Sequence, residues 1–568
     1  MTKRQGGRGV LVRAVGLVVL LALAVAAWAG LPPLSFAPFT NVALGPPGCQ
    51  EGVDCSEGAL DATAGDFNRD GKLDVATANN GSDDVTVLLG NGAGGLTSSV
   101  TLAAAAGPSG IASGNLNSSD AILDLVVAKE MSNKIGVFLG RGEGTFEDEV
   151  EYDMGNAPQA VVLADLNGDT KLDIATADLF GDTVSVRLGN GDGSFGALQQ
   201  TTVSGAPYGM AAGKVDSGNT LDLVVSLYDN AQIAVLLGKG DGTFNRSAGI
   251  IYSGVPVAGD SITINTQGYE FTDDGVPTGT AAGVAIVAGD ANATFANLVT
   301  AIQAHQPALG VVSQHTTTDT VQIVAPSDVT LVKGQDAGGV IAIMGEVDDS
   351  PRGIALADFN SDGKLDAAVA TESFDSVDVL LGNGDGTFQL PGGCLDADQK
   401  VVPCIVGGFP EAVVAGDFNG DGITDLASAD SFGTIDFDGT VSVLVGKGNG
   451  TFEDAQQFEV DSGPYGLVAA DLNNDRLPDV VTANLDSITP PSVSVLKNTG
   501  TPPVITCVGD CDGTDTVTIG ELITGVNIAL GTFPVSTCPA FDANGDGMVG
   551  INELITAVNN ALNGCPVG

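Results

Sequence analysis

The sequence predicts a mainly β chain: a seven-bladed β-propeller carrying a small inserted α+β domain and a helical C-terminal module. Three observations predict it. An aspartate-rich pattern, two short apolar strands and a glycine turn recur together seven times. The series is interrupted once, between its fourth and fifth copies. A different unit, itself duplicated, follows the last copy.

The repeat is clearest in its first copy. Asp66-Phe-Asn68-Arg-Asp70-Gly71-Lys-Leu-Asp74 leads into the apolar run Val75–Ala78, then Val85–Leu89, and closes on the glycine turn Gly90–Leu96. The pattern recurs from Asp165, Asp358, Asp417 and Asp471, with weaker copies from Asn115 and Lys214, at spacings of 49, 50, 49, 144, 59 and 54. The closing turns end on Phe146, Phe195, Phe244, Phe388 and Phe452. Four short strands every ~50 residues is the period of a propeller blade, and seven copies imply seven blades. The seventh copy stops at Gly500 without an outer strand, while residues 34–44 form an orphan strand-like segment before the first. That segment is expected to complete the last blade and close the ring, leaving no open sheet edge. Phe67, Phe359, Phe418 and the turn phenylalanines are expected in the core between blades.

In D-x-N-x-D-G-x-x-D, oxygens at alternate positions of a tight loop converge and a ninth residue returns another carboxylate. That is hard-oxygen chemistry suited to Ca²⁺. Five loops carry the set: Asp66, Asn68, Asp70 and Asp74; Asp165, Asn167, Asp169 and Asp173; Asp358, Asn360, Asp362 and Asp366; Asp417, Asn419, Asp421 and Asp425; Asp471, Asn473, Asp475 and Asp479. The fourth copy has Lys214 at the first position, which can only donate, and the second has an extra residue before Asp124. The sixth-position glycine is replaced by Thr170 and Arg476 in two copies, which weakens those loops. The competing reading is a set of Asx turns satisfied by their own backbone.

Together the loops and glycine turns resemble the FG-GAP or VCBS repeat family, best known in the propeller head of integrin α chains. The resemblance covers about residues 34–254 and 346–500. It implies calcium in the blade hairpins, with a structural role.

Residues 255–346 read as an α+β insertion: a hairpin over Asp260–Phe271, a helix over Ala293–His305 and strands near Val311 and Thr320–Val324. The insertion holds both histidines, His305 and His315. No nucleophile pattern accompanies either, and a contact surface is the expectation. Beyond a Pro-containing linker at 499–506, Asp542, Asn544, Asp546, Met548 and Glu553 sit at EF-hand loop positions and a helix follows. A second loop 32 residues earlier offers Asp510, Asp512, Thr514, Thr516 and Glu521. Two loop–helix units without entering helices resemble a type I dockerin, which implies a cohesin-like partner.

Seventy acidic against 21 basic residues give a net charge of −49, which excludes nucleic acid as a partner and disfavours an anionic membrane surface. The basic residues Lys3, Arg4, Arg8 and Arg13, the apolar run Ala14–Ala26 and Ala27-Trp28-Ala29 read as a cleaved secretory signal over residues 1–29, leaving no membrane span. Eight cysteines without a C-x-x-C metal pattern fit disulfides in an exported protein: Cys49 and Cys55 lie close in sequence, as do Cys394 and Cys404, and Cys507, Cys511, Cys538 and Cys565 gather at the C-terminus. The expectation is a secreted adhesion or recognition protein binding six to seven Ca²⁺ ions. Its propeller would present a site for a protein or glycan. The scarcity of Trp and Tyr favours protein. The alternatives are a polysaccharide-active lyase or hydrolase carried on a dockerin, and a matrix component. No catalytic residue stands out.

Overall fold

The computed structural model describes residues 34–44, 58–104, 106–118, 120–252, 255–258, 260–265, 267–273, 276, 281–287, 290–306, 311–315, 320–325, 331–333, 341–343, 347–396, 400–432, 439–485, 492–500, 509, 511, 516–530, 533, 537–538, 541, 549 and 551–563. The expected signal at 1–29, Cys49, Cys55, Cys507, Cys565 and most of the linker lie outside them. The chain divides into two compact units at residues 501/502.

The first unit is mainly β, built of small antiparallel sheets consistent with propeller blades. In copy one the strands Ala59–Gly65, Asp74–Asn79, Asp84–Gly90 and Leu96–Ala103 pair in chain order. The second strand is buried along its whole length, as its run of Val and Ala predicts, because neighbouring sheets cover both its faces. Between second and third strands the turn places Asp83 in the left-handed region, as it does Asn133, Asp182 and Asp375 in other copies. Each of these side chains accepts an N–H from the start of the next copy: Gly107, Ala157, Ala206 and Phe409. Asx residues tolerate this backbone and bridge locally, which explains their choice.

Successive sheets meet through their first strands. A Cβ on Gly209 would stand 2.4 Å from the Arg352 carbonyl oxygen, and one on Gly466 2.5 Å from the Asp61 Cα. Only glycine permits that approach, and the second contact brings copy seven against copy one. The same pair shares a core in which Ala59, Val75 and Leu88 pack with Val481, Val493 and Val495. The loop and turn phenylalanines are buried as expected. Phe67 of copy one meets Phe146 of copy two at 5.9 Å, and Phe359 of copy five meets Phe452 of copy six at 5.6 Å.

The orphan segment does complete the sheet of copy seven. Thr40–Ala43 pairs antiparallel with Ser492–Leu496, Thr40 opposite Val495, and Phe36 bridges to Asn498. Phe36 also packs edge-on against Phe458 at 4.8 Å.

The insertion contains the expected hairpin (Ser261–Ile264 with Gln267–Thr272) and a helix, α1, over Ala291–His305, capped by Asp290. Its separation from the blade is less than the sequence suggested. Thr320–Ala325 and Ile341–Ile343 both pair with Phe244–Tyr252, the outer strand of copy four, and Val311–His315 extends that sheet further. An outer strand exposes a row of unpaired N–H and C=O groups, and the insertion covers them. His305 is exposed at the end of α1, where its Nδ1 lies 2.8 Å from the Ala301 carbonyl and its ring meets Tyr269 edge-on.

The second unit contains helices α2 (Ile519–Ala529) and α3 (Ile551–Asn563) around a core of Ile528, Cys538, Phe541, Val549 and Ala557. Disulfides join Cys394 to Cys404 and Cys511 to Cys538. No helix among the described residues is long and apolar enough to cross a membrane.

Candidate functional site

The five aspartate loops share one geometry. Each connects the first and second strands of its sheet. In the first, Asp66 accepts the N–H of Asp70 at 3.1 Å and of Gly71 at 2.9 Å, and Asn68 accepts that of Asp70 at 2.8 Å. Asp70 accepts the N–H of Lys72 at 3.0 Å. Asp165, Asp358, Asp417 and Asp471 repeat the first contact, and Asn167, Asn360, Asn419 and Asn473 the second. Asp169, Asp362, Asp421 and Asp475 repeat the third. The sixth residue is left-handed throughout, at φ 79° for Gly71 but also φ 69° for Thr170 and 74° for Arg476. The fourth residue is left-handed as well, and a non-glycine at either position costs about 1 kcal/mol or more. Arg69, Thr170 and Ser361 each put one such residue in their loop, Asn474 and Arg476 put two in the last, and the Asp417 loop has none. Among the described residues no three His, Cys, Asp or Glu side chains are gathered on one point, and the loops stand closed by their own N–H groups.

The ninth residue has a role the sequence did not disclose. Asp74 receives the N–H of Phe67 on one oxygen and of Gly90 on the other. The same double contact recurs at Asp173, Asp366, Asp425 and Asp479. It also recurs at Asp124 and Asp222, in the two copies without a full ligand set. This carboxylate therefore ties loop to glycine turn in six copies, and in the seventh it ties the loop to Asn498. Burial pushes Asp366 and Asp479 up to about 6 and Asp425 to about 7, against the pull of the N–H bonds, and the like charges of their own loops push the same way.

In the C-terminal unit, Asp510, Asp512, Thr514, Asp542, Asn544, Asp546 and Met548 lie outside the described residues, as does the side chain of Glu553. Glu521 is placed differently from a free ligand. With Thr518 it forms a capping box on α2, and its other oxygen accepts the Cys511 N–H at 2.7 Å. Both helices leave apolar residues outward: Ile519, Ile523 and Val526 on α2 with Leu530 at its C-terminal cap, and Ile555, Val558 and Leu562 on α3.

At the sheet ends opposite the aspartate loops lies a cluster that sequence reasoning missed. Arg352 is the second residue of the first strand of copy five, Pro351–Ala357, and its guanidinium stands 4.6 Å from the Tyr208 ring, 4.9 Å from Tyr228 and 6.0 Å from Tyr465. Its N–H groups donate to Glu372 at 2.7 and 3.0 Å and to the Tyr465 hydroxyl at 3.0 Å, and Glu411 stands 3.3 Å away. The Tyr208 hydroxyl donates to that of Tyr465 at 3.1 Å, across 257 residues of chain. Burial pushes Glu411 up to about 7, with Arg352 pulling it down. Outside this cluster lies a cavity of about 420 Å³, walled in part by Phe180, Tyr208 and Tyr228. Beneath it lies one of about 110 Å³.

A sequence signal for the cluster exists. The residue six positions before each loop is Leu60, Ser109, Gln159, Tyr208, Arg352, Glu411 or Tyr465, and all but Arg352 line the inner cavity. This register is chemically different in nearly every copy, while its surroundings repeat.

The family model for FG-GAP-like repeats matches residues 118–176, 358–428 and 417–482. No curated protein matches the chain. Among solved structures, a BBS1N–ARL6DN complex is similar at 10% identity and a TM-score of 0.43, over 82% of this chain and 97% of that one. The V. cholerae biofilm matrix protein Bap1 is similar at 14% identity and 0.38, over 82% and 91%. An Agrocybe aegerita lectin that recognises non-reducing terminal N-acetylglucosamine is similar at 15% and 0.37, over 78% and 91%. These scores carry no functional argument. The chain carries FG-GAP-like repeats arranged as small antiparallel sheets.

Proposed function

We propose that the protein is an exported, calcium-stabilised recognition protein: a seven-bladed propeller that presents a binding face to a protein or glycan, with an EF-hand or dockerin-like C-terminal module for attachment. One observation carries the recognition reading. At the sheet ends away from the aspartate loops, the copies abandon their periodicity and contribute Tyr208, Arg352, Glu411 and Tyr465 to one cluster beside a cavity. A repeat whose residues diverge at the register where the copies converge has the organisation of a binding surface.

Calcium is supported by the donor set. Each loop offers oxygen only, from three aspartates and one asparagine within nine residues. Such a set fits a hard divalent cation, which would neutralise like charge held close together. Asp66, Asn68, Asp70 and Asp74 and their counterparts would hold the ion, whose contribution is to pin the loop between two strands. The paired apolar stripes on α2 and α3 support an attachment role, because isolated helices of a small unit rarely leave matching faces bare.

The test is capture. Residues 30–568, immobilised with calcium, are challenged with extracellular extract of the source organism and with a glycan array. Arg352→Met serves as the control. Retention of a ligand by the wild type but not the variant supports the reading. Failure to retain anything, or equal retention by both, contradicts it.

A further inference from the structure

We infer that the outer cavity binds an organic cation: a guanidinium or ammonium group on an apolar stem, as on an arginine or lysine side chain of a protein ligand. The inference rests on the recognition reading and names the chemistry of its ligand. The walls combine ring faces and carboxylates. Leu179 and Phe180 come from the turn of copy three and Tyr228 from that of copy four, with Asp182 and Asp229 between them. Phe180 is 68% exposed and adds an apolar ring to the lining. The cavity already displays the preferred chemistry, since Arg352 lies against Tyr208 and Tyr228. That guanidinium is committed to Glu372 and Tyr465, so it does not neutralise Asp182 or Asp229. Among the described residues neither aspartate takes part in an ion pair. The lining thus carries Asp182 and Asp229 against one arginine already paired with Glu372, and the whole chain at −49 draws cations and repels anions. A neutral sugar would gain hydrogen bonds and ring stacking here, and a cation gains the carboxylate field besides.

The experiment titrates the calcium-loaded chain with benzamidinium, its neutral isostere benzamide, the anion benzoate, and cellobiose, by calorimetry. Benzamidinium is expected to bind at least about ten-fold more tightly than benzamide, with the preference shrinking as salt is raised. The Asp182→Asn/Asp229→Asn variant is expected to lose that factor. It keeps the fold because copy two carries Asn133 at the Asp182 position and makes the same contact, to the Ala157 N–H at 2.9 Å. Phe180→Ala, a rim change, is expected to weaken benzamidinium without moving the melting temperature. Equal affinity for the three aromatic probes, tighter binding of cellobiose, or an unchanged double variant would overturn the inference. If benzamidinium fails while a macromolecule is still captured, only this inference falls. If it binds while nothing is captured, the recognition reading falls.

Discussion

Asp222 accepts the N–H of Gly238 at 2.9 Å, although its loop begins with Lys214 and has lost the ligand pattern. The copy that least resembles a cation site thus keeps the ninth carboxylate, which separates two roles the other copies superimpose. One is a structural clamp between loop and glycine turn. The other, proposed, is a share in calcium binding.

Two substitutions separate them. In Asp222→Asn an amide N–H₂ must face a backbone N–H, a loss of about 1–3 kcal/mol, and the fall in melting temperature should be the same with calcium or chelator. Asp362→Asn keeps the acceptor for the Lys364 N–H and sacrifices only an exposed ion pair worth about 0–1 kcal/mol. Its melting temperature should match wild type in chelator and fall below it in calcium. Thermal unfolding of both variants in both conditions decides the point.

The closing strand should be costly to remove. Deleting residues 34–44 exposes the edge Ser492–Leu496, unpacks Phe36 from Phe458 and breaks the contact from Asn41 to Asp461 at 2.8 Å. Loss of the partly buried Leu34, Phe36, Phe39 and Val42 points to roughly 3–6 kcal/mol. A clear drop in melting temperature with concentration-dependent aggregation is expected from the freed edge. An unchanged curve would show that the sheet does not need its fourth strand.

A pH dependence should come from Asp430. It is buried among Ser428, Thr440, Ser442 and the Gly407 N–H, and burial pushes it up to about 7 despite those four donors. A carboxyl raised in the folded state binds more protons folded than unfolded between about pH 4 and pH 7. Its contribution is therefore full at acid pH and lost as pH rises through about 7. Copies one and seven place Asn79 and Asn484 at this position, bonded to Thr and Ser hydroxyls. Asp430→Asn should stabilise the protein by roughly 1–3 kcal/mol at pH 8 and much less at pH 4. Urea unfolding at the two pH values checks it, and an equal effect at both would refute the assignment.

What the sequence disclosed follows from periodicity. The loops, the glycine turns, the phenylalanine pairs and the completing strand at 34–44 are local patterns repeated at fixed offsets, so each copy corroborates the others. The helix Ala291–His305 was legible from its apolar spacing. The arginine–tyrosine cluster was not, because Tyr208, Arg352, Glu411 and Tyr465 each look unremarkable within their own copy and meet only when the copies come together. Composition hid it in the same way, since a count of six tyrosines does not show that three gather around one arginine. Nor could sequence show that Thr320–Ala325 would cover the open edge of Phe244–Tyr252, since edge pairing leaves no pattern in either strand.

The most direct test of the account is the melting temperature of residues 30–568 titrated with calcium and then with chelator. Each ion held by the folded chain alone adds about 2.7 kcal/mol when calcium exceeds its dissociation constant a hundred-fold. Five loops should therefore move the transition upward by many degrees, reversibly and in step with calcium concentration. A melting temperature that is the same in calcium and in chelator would contradict the account and leave the loops as turns closed by their own backbone.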